Sequence, residues 1–377
     1  MRVALGQWTE GAGWRFDASR DDLRNAQFVL YFGDRVALSG GAPVRTLGDL
    51  CPAAVIAGCS SGGEIFGADV FTGTIAAVAI RFARSHVELR AERGGLRGGP
   101  ADVGRRLGEA LPHAGLRGVF ILSDGIGVNG SELVHGLAER LPPDVLITGG
   151  LAGDGAAFKT TLVGAQSEPA PGTVAAIGFY GDTLTMRSGS FGGWDEFGPQ
   201  RVVTRSDGNV LYELDHQPAL DLYKRYLGEA AARLPGSALL FPLRVDLAGR
   251  SGTEVVRTIV GIDEAAKAMI FAGDIPVGCT ARLMRGDHEH LIAGAASAAE
   301  MACADGPASL AILVSCIGRK LLLGQRAAEE VEAAAEVLGR DCVVTGFYSY
   351  GEICPQDRDH PSTLHNQTMT VTVFGET

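Results

Sequence analysis

The sequence predicts an α/β to α+β protein, with layered mixed sheets flanked by helices and two domains built from internally repeated β-α-β-β units. Three observations predict it. An apolar run leads into the same Gly-rich turn twice, as Gly58-Cys59-Ser60-Ser61-Gly62-Gly63-Glu64-Ile65 and Gly346-Phe347-Tyr348-Ser349-Tyr350-Gly351-Glu352-Ile353, with five of eight positions identical. Strand-length apolar runs alternate with segments of helical period. The 377 residues exceed what one simple core serves, at roughly 100–200 residues per domain.

A looser third copy follows Val145-Leu146-Ile147-Thr148 as Gly149-Gly150-Leu151-Ala152-Gly153-Asp154-Gly155. Ahead of each copy lies a run that reads as a buried strand: Val29-Leu30-Tyr31-Phe32, Val119-Phe120-Ile121-Leu122 and Leu310-Ala311-Ile312-Leu313-Val314. After the copies come Gly73-Thr74-Ile75-Ala76-Ala77-Val78, Gly172-Thr173-Val174-Ala175-Ala176-Ile177 and an alternating strand from Asn366 to Phe374. Helices are predicted over 131–141 and 325–338, where apolar residues recur at three-and-four spacing and Pro142-Pro143 or Gly339 stops them. The unit is strand, helix, strand, Gly-rich turn, strand. A change in composition around 189–199, followed by a helical segment at 220–227, sets the expected boundary, with domains at 1–204 and 205–377.

Composition narrows function. Hydrophobic residues at 46% and charged residues at 20% describe a folding chain with a large core. A formal net charge of −11, uninterrupted by a basic patch, argues against nucleic acid and anionic membrane as partners. No basic-then-apolar leader and no 18-residue apolar run is present, so a cytoplasmic protein is expected. The seven cysteines are dispersed and form no CxxC, which disfavours a disulfide scaffold or structural zinc.

The motifs admit functional and structural readings side by side. Gly58-Cys59-Ser60-Ser61-Gly62 fits G-x-S-x-G, yet a nucleophile elbow must open a helix and no helix follows. Gly125-Ile126-Gly127-Val128-Asn129-Gly130 fits G-x-G-x-x-G, but the next strand ends in glycines rather than an acid. Asn129 or Ser131 can still cap the following helix, whose free amides would suit a carboxylate. Cys316 ends a strand beside Arg319, a cation that favours thiolate, although a buried cysteine there would be silent. Tyr348, Tyr350 and Glu352 share one Gly-flanked turn, and alternation would send both tyrosines to one side as a pocket wall or as packing. His288-Glu289-His290 lacks metal-ligand spacing and reads as a surface cluster.

Several of these segments together resemble the FIST family, a sensory module with N-terminal and C-terminal FIST regions. They are Gly58 to Ile65, Asn129-Gly130-Ser131-Glu132-Leu133-Val134, Gly149 to Gly155 with Phe158, Pro218-Ala219-Leu220-Asp221-Leu222-Tyr223, Ser315-Cys316-Ile317-Gly318-Arg319-Lys320, Gly346 to Pro355, and His365-Asn366-Gln367-Thr368-Met369-Thr370. They span nearly the whole chain and leave no segment for a kinase or receiver domain. The region of His288 to His290 departs from the aromatic-acid-basic run expected in such relatives.

The resemblance extends to a freestanding subset described as haem-binding nitric-oxide sensors acting on a separate histidine kinase or cyclic-di-GMP pathway. It implies noncovalent haem b, since C-x-x-C-H is absent, with His365 or Cys316 as the iron ligand and Tyr348 and Tyr350 beside it. His365 can equally bond a loop carbonyl. A second reading is a haem-free receptor for a small metabolite such as an amino acid, with Arg319, Glu352, Asn129 and Ser131 around the ligand. A third is a hydrolase using Ser60 or Cys316. Self-association into a homo-oligomer is compatible with all three.

Overall fold

The structure is a computed structural model and describes residues 1–95, 97–234, 236–246, 254–357 and 360–377. Three sheets of six strands share the order of five of them, the sixth lying at the outer end of the first sheet and beyond the strand lent by another unit in the other two. At the heart of each is a parallel pair: Phe28–Asp34 with Val55–Ser61, Leu116–Ser123 with Leu146–Leu151, and Leu310–Cys316 with Val343–Ser349. The strand that closes each unit, Ile75–Arg81, Val174–Tyr180 or Met369–Glu376, runs antiparallel beside the first of the pair. Outside it lie Arg2–Thr9, His86–Glu92 and Leu184–Phe191.

The far edge of each sheet is completed by another unit, in a cycle. The first unit lends Glu64–Phe66 to the third sheet, the third lends Gly351–Pro355 to the second, and the second lends Val163–Ala165 to the first. Three equivalent hydrogen bonds close the ring: Gly62 N to Tyr348 O at 2.7 Å, Gly153 N to Ser60 O at 3.0 Å, and Tyr350 N to Leu151 O at 3.0 Å. The leading glycine of the turn serves this crossing. A Cβ on Gly58, Gly149 or Gly346 would stand 2.2, 2.0 or 1.9 Å from the carbonyl oxygen of the neighbouring strand. Only glycine allows that approach.

The apolar runs explain why the sheets pack together. Each parallel-pair strand is buried on both faces, the condition that produces continuous rather than alternating hydrophobicity. Phe28 of the first sheet, Phe179 of the second and Phe374 of the third meet at the centre, with ring centroids 5.7 and 4.8 Å apart, and Phe32 stacks on Phe347 at 4.6 Å. Each such ring contributes roughly 1.5–3 kcal/mol on burial. Helices cover the outer faces. Gly130–Ala138 is started by the Asn129 side chain, which accepts the Ser131 and Glu132 amides at 3.0 and 3.4 Å, and it buries Leu133, Val134 and Leu137. Ala327–Leu338 buries Val331, Ala334 and Leu338 and stops at Gly339, whose φ is 83°.

The third unit carries a large insertion between Leu184–Phe191 and the helix His288–Cys303. It forms a nine-stranded antiparallel sheet with its own core around Leu220, Tyr223, Met269 and Phe271. Its way out and way back form one ribbon, in which Trp194–Glu196 pairs with the end of Thr280–Gly286. Residues 204 and 205, where composition set a boundary, both lie within the inserted strand Arg201–Asp207. No helix among the described residues is long and apolar enough to cross a membrane.

Candidate functional site

Chain topology brings the carboxyl ends of the parallel strands to one side, the side on which mixed α/β sheets present ligands. Asp34, Asp124 and Cys316 occupy equivalent positions there. Their amides donate to the carbonyls of Thr74, Thr173 and Thr368 at 2.9, 3.0 and 3.1 Å. Beside Asp124 and Cys316, and beneath the inserted sheet, lies a cleft of about 380 Å³.

Three parts of the chain build its walls. The second unit gives Gly125 to Asn129 with Leu151 and Phe158, the third gives Cys316, Ile317 and Tyr350, and the insertion gives Leu239, Thr258, Val260 and Ile270 to Ala272. Tyr350 and Phe158 stack at 4.5 Å, and the Tyr350 hydroxyl donates to Asp154 and lies 2.9 Å from the Gly155 carbonyl. Burial opposes ionisation of Asp154. The amides of Thr160, Lys159 and Phe158 and the Tyr350 hydroxyl outweigh it and hold the carboxyl below its usual range. Ile126, Phe158 and Val260 are exposed large apolar residues at this cleft.

Polar groups are few and distinct. Asn129 Nδ2 donates to Asp274 Oδ1 at 3.0 Å, which ties the second unit to the insertion. The amides of Val128 and Asn129, just ahead of the helix Gly130–Ala138, find no acceptor among the described residues. Thr258, which the insertion contributes to the lining, has a buried hydroxyl with no hydrogen-bond partner among the described residues. Ser131, just outside the lining, likewise has a buried Oγ with no partner among the described residues. The cleft lining contains no Arg, Lys, His, Asp or Glu among the described residues.

The residues singled out in the sequence divide sharply. Asn129, Cys316 and Tyr350 converge on the cleft; Tyr348, Arg319, Glu352 and His365 lie in the interior. Tyr348 does not share a wall with Tyr350. Its amide bonds to Gly63 O while that of Tyr350 bonds to Leu151 O, so the chain turns between them and the expected alternation breaks. Its hydroxyl donates to Glu330 at 2.8 Å. Arg319 is fully buried and fully engaged, with Glu330 at 2.8 Å, the Leu291 carbonyl at 2.8 Å and the Gly192 carbonyl. With all three guanidinium nitrogens engaged inside the protein and none exposed, it is out of reach of a ligand carboxylate in the cleft, and it does not act on the Cys316 thiol strongly enough to ionise it. Burial, and then the Glu352 carboxyl, push that thiol far above its ordinary range.

Glu352 belongs to a motif of the repeat. Its Oε1 accepts the Ser349 hydroxyl at 2.5 Å, and Oε2 accepts the Thr368 amide and hydroxyl at 3.2 and 3.0 Å. Glu64 does the same with Ser61 at 2.5 Å and with Thr74 at 3.2 and 2.9 Å. These glutamates pin the crossing turns. The Ser60 hydroxyl accepts the Leu162 amide at 2.8 Å and is fully buried, so nothing activates or exposes it. His288 and His290 open the helix His288–Cys303, where they contact the Leu322 carbonyl and Asp195 respectively.

Haem would need an axial ligand and partners for its propionates. His365 Nε2–H donates to the Cys354 carbonyl at 2.9 Å, and burial followed by the nearby Arg257 lowers its pKa to about 4. Cys316 is a protonated thiol, and the lining offers no cation among the described residues. These residues do not fit haem. No group of three or more His, Cys, Asp and Glu among the described residues is placed to hold a metal ion.

Sequence reading missed Thr258, Leu239 and Phe271, because an insertion has no repeat to announce which face it turns inward. A second cleft, of about 570 Å³, lies by Leu146, Met186 and Met301, away from all the residues gathered above.

Comparison with known proteins supplies two family matches and little else. A model of the FIST N domain matches residues 27–217, and one of the FIST C domain matches residues 219–355. No curated protein matches the chain. Among solved structures, a cyanuric acid hydrolase described as arising by structural concatenation aligns over 100% of this chain and 99% of its own, at 11% identity and a TM-score of 0.30. Cyanuric acid hydrolase from A. caulinodans aligns over 78% of this chain and 99% of its own, at 11% identity and a TM-score of 0.19. At those scores neither fold nor chemistry transfers.

Proposed function

The chain belongs to the FIST family, whose domains are small-ligand sensing modules of signalling proteins, and from that premise we propose that it is a haem-free receptor whose ligand occupies the cleft beneath the inserted sheet. The observation that carries the reading is the hydroxyl of the lining residue Thr258, buried with no partner among the described residues. A buried hydroxyl left unpaired costs about 1–3 kcal/mol, which a ligand can recover by bonding to it.

The lining also defines the ligand's chemistry. Apolar walls from Ile126, Leu151, Phe158, Ile270 and Phe271 suit an apolar body, and the volume suits a metabolite rather than a large cofactor. The open amides of Val128 and Asn129 at a helix N-terminus suit a carboxylate, with no opposing acid in the lining. A small molecule with an apolar body and one carboxylate combines these features, and an apolar amino acid fits with its α-ammonium turned to solvent or to backbone carbonyls, since the lining offers it no carboxylate among the described residues. Nitric oxide on haem, read out by a histidine kinase or cyclic-di-GMP pathway, is the alternative that the family resemblance supplies, and no group in the cleft supports its first step. A signalling partner that responds to the occupied form remains part of the proposal.

The test is a thermal-shift panel of the twenty amino acids, with haemin titrated in parallel. Stabilisation by one or a few apolar members, growing with concentration, is expected. Stoichiometric haemin uptake with a Soret band, and no response to any amino acid, would overturn the reading.

A further inference from the structure

Gln367 holds a backbone conformation that the other two repeats assign to glycine. Its φ is 65°, against 75° at Gly73 and 62° at Gly172. The equivalence is fixed by the residue that follows, since Thr74, Thr173 and Thr368 accept the amides of the strand ends in the same way. Left-handed backbone is unfavourable for a residue that carries a Cβ, so glutamine is retained here against local preference.

The third unit departs from its sisters at a second position that touches the first. Gly318 stands where Val36 and Ile126 stand, two residues after the strand end. A Cβ on Gly318 would come within 2.4 Å of Gln367 Nε2. The two departures therefore form one device: glycine has left the turn and entered the helix, and a glutamine side chain lies across it.

From that position Gln367 joins three parts of the molecule. Its Nε2 donates to the Leu239 carbonyl at 2.9 Å, and the next residue, Thr368, accepts the Cys316 amide at 3.1 Å; Leu239 and Cys316 both line the cleft. Its carbonyl accepts the Trp194 indole N–H at 2.7 Å, where the ribbon to the inserted sheet begins. The side chain is fully buried, and Oε1 has no partner among the described residues.

We infer that Gln367 is a positioning residue that couples the contents of the cleft to the ribbon holding the inserted sheet, an inference that rests on the reading of the cleft as a ligand site. A ligand that displaces Leu239 or Cys316 moves Gln367, and Gln367 moves Trp194.

Hydrogen exchange on the full chain tests it, with Gln367→Gly, which restores the residue used by the other repeats, and Gln367→Asn, which tolerates the same backbone but is too short for Leu239. Both variants keep the main-chain carbonyl that Trp194 bonds but lose the side-chain anchor to Leu239 that holds it in place, so in the free variants the amides of Trp194–Glu196 should exchange about tenfold faster while those of Leu310–Cys316 are unchanged. Unchanged ribbon exchange, or equal acceleration in both strands, overturns the inference. With an amino acid that stabilises the wild type, ribbon exchange should change on binding in the wild type and stay fixed in both variants, which still bind it. A ribbon response that persists in the variants overturns the inference and leaves the ligand reading standing. If no amino acid stabilises the wild type, the ligand reading fails by itself and the free-protein exchange still decides.

Discussion

Ser349 donates its hydroxyl to Glu352 at 2.5 Å, three residues along the same crossing turn, and the pair is buried where strands of the second and third units meet. Burial raises the Glu352 pKa to about 8 and that of its repeat counterpart Glu64 to about 7, despite the hydroxyl and amide donors on each.

Those raised values set the pH dependence of stability. Between about 4.5 and 8 the unfolded carboxyls have lost protons that the folded ones keep, so stability falls as pH rises through that window. Glu352→Gln should therefore raise the thermal midpoint relative to wild type at pH 8, with the difference disappearing near pH 4.5. His365 acts at the acid side. Its folded pKa of about 4, below the ordinary histidine value of 6.5, makes stability fall as pH drops through that interval, and His365→Gln should flatten this part of the curve. Thermal melts from pH 4 to 9 check both.

Arg319 and Glu330 form an ion pair that is fully buried at both ends. Removing the guanidinium strands a carboxylate that also serves Ser315 and Tyr348. Arg319→Met should cost about 3–5 kcal/mol in denaturant unfolding, and Arg319→Met with Glu330→Leu should recover much of the loss. A double variant no more stable than the single would show that the contacts to Gly192 and Leu291, rather than the charge pair, are what matters.

Tyr350→Phe keeps the stack on Phe158 but removes the hydroxyl from Asp154 and Gly155. A modest loss of stability, about 1–2 kcal/mol, is expected. Faster exchange should be confined to the amides of Phe158, Lys159 and Thr160, which Asp154 gathers into the cleft wall.

Much of the core was legible because it is written in local periodicity. The buried runs at Val29, Val119 and Leu310 are the first strands of the parallel pairs, and the turn glycines mark the crossings. The cyclic exchange of strands was not legible, because nothing near Glu64 names Phe347 as its pairing partner. Arg319 read as a free cation since Glu330 is eleven residues away and meets it only when helix packs on helix. Tyr348 and Tyr350 read as one wall since alternation assumes a single neighbouring strand, and each has a different one. Gln367 could have been found in the sequence by asking which residue replaces Gly73 and Gly172.

Ligand binding in the cleft between Asn129 and Thr258 leaves a local signature, which hydrogen-exchange protection maps on adding the amino acid that stabilises the protein, in wild type and in Thr258→Val. Protection is expected at Gly125 to Asn129 and at Thr258 to Ala272, with affinity about three- to tenfold weaker in Thr258→Val while the free variant is at least as stable as wild type. Protection around Met186 and Met301 instead, with affinity untouched by Thr258→Val, would contradict it.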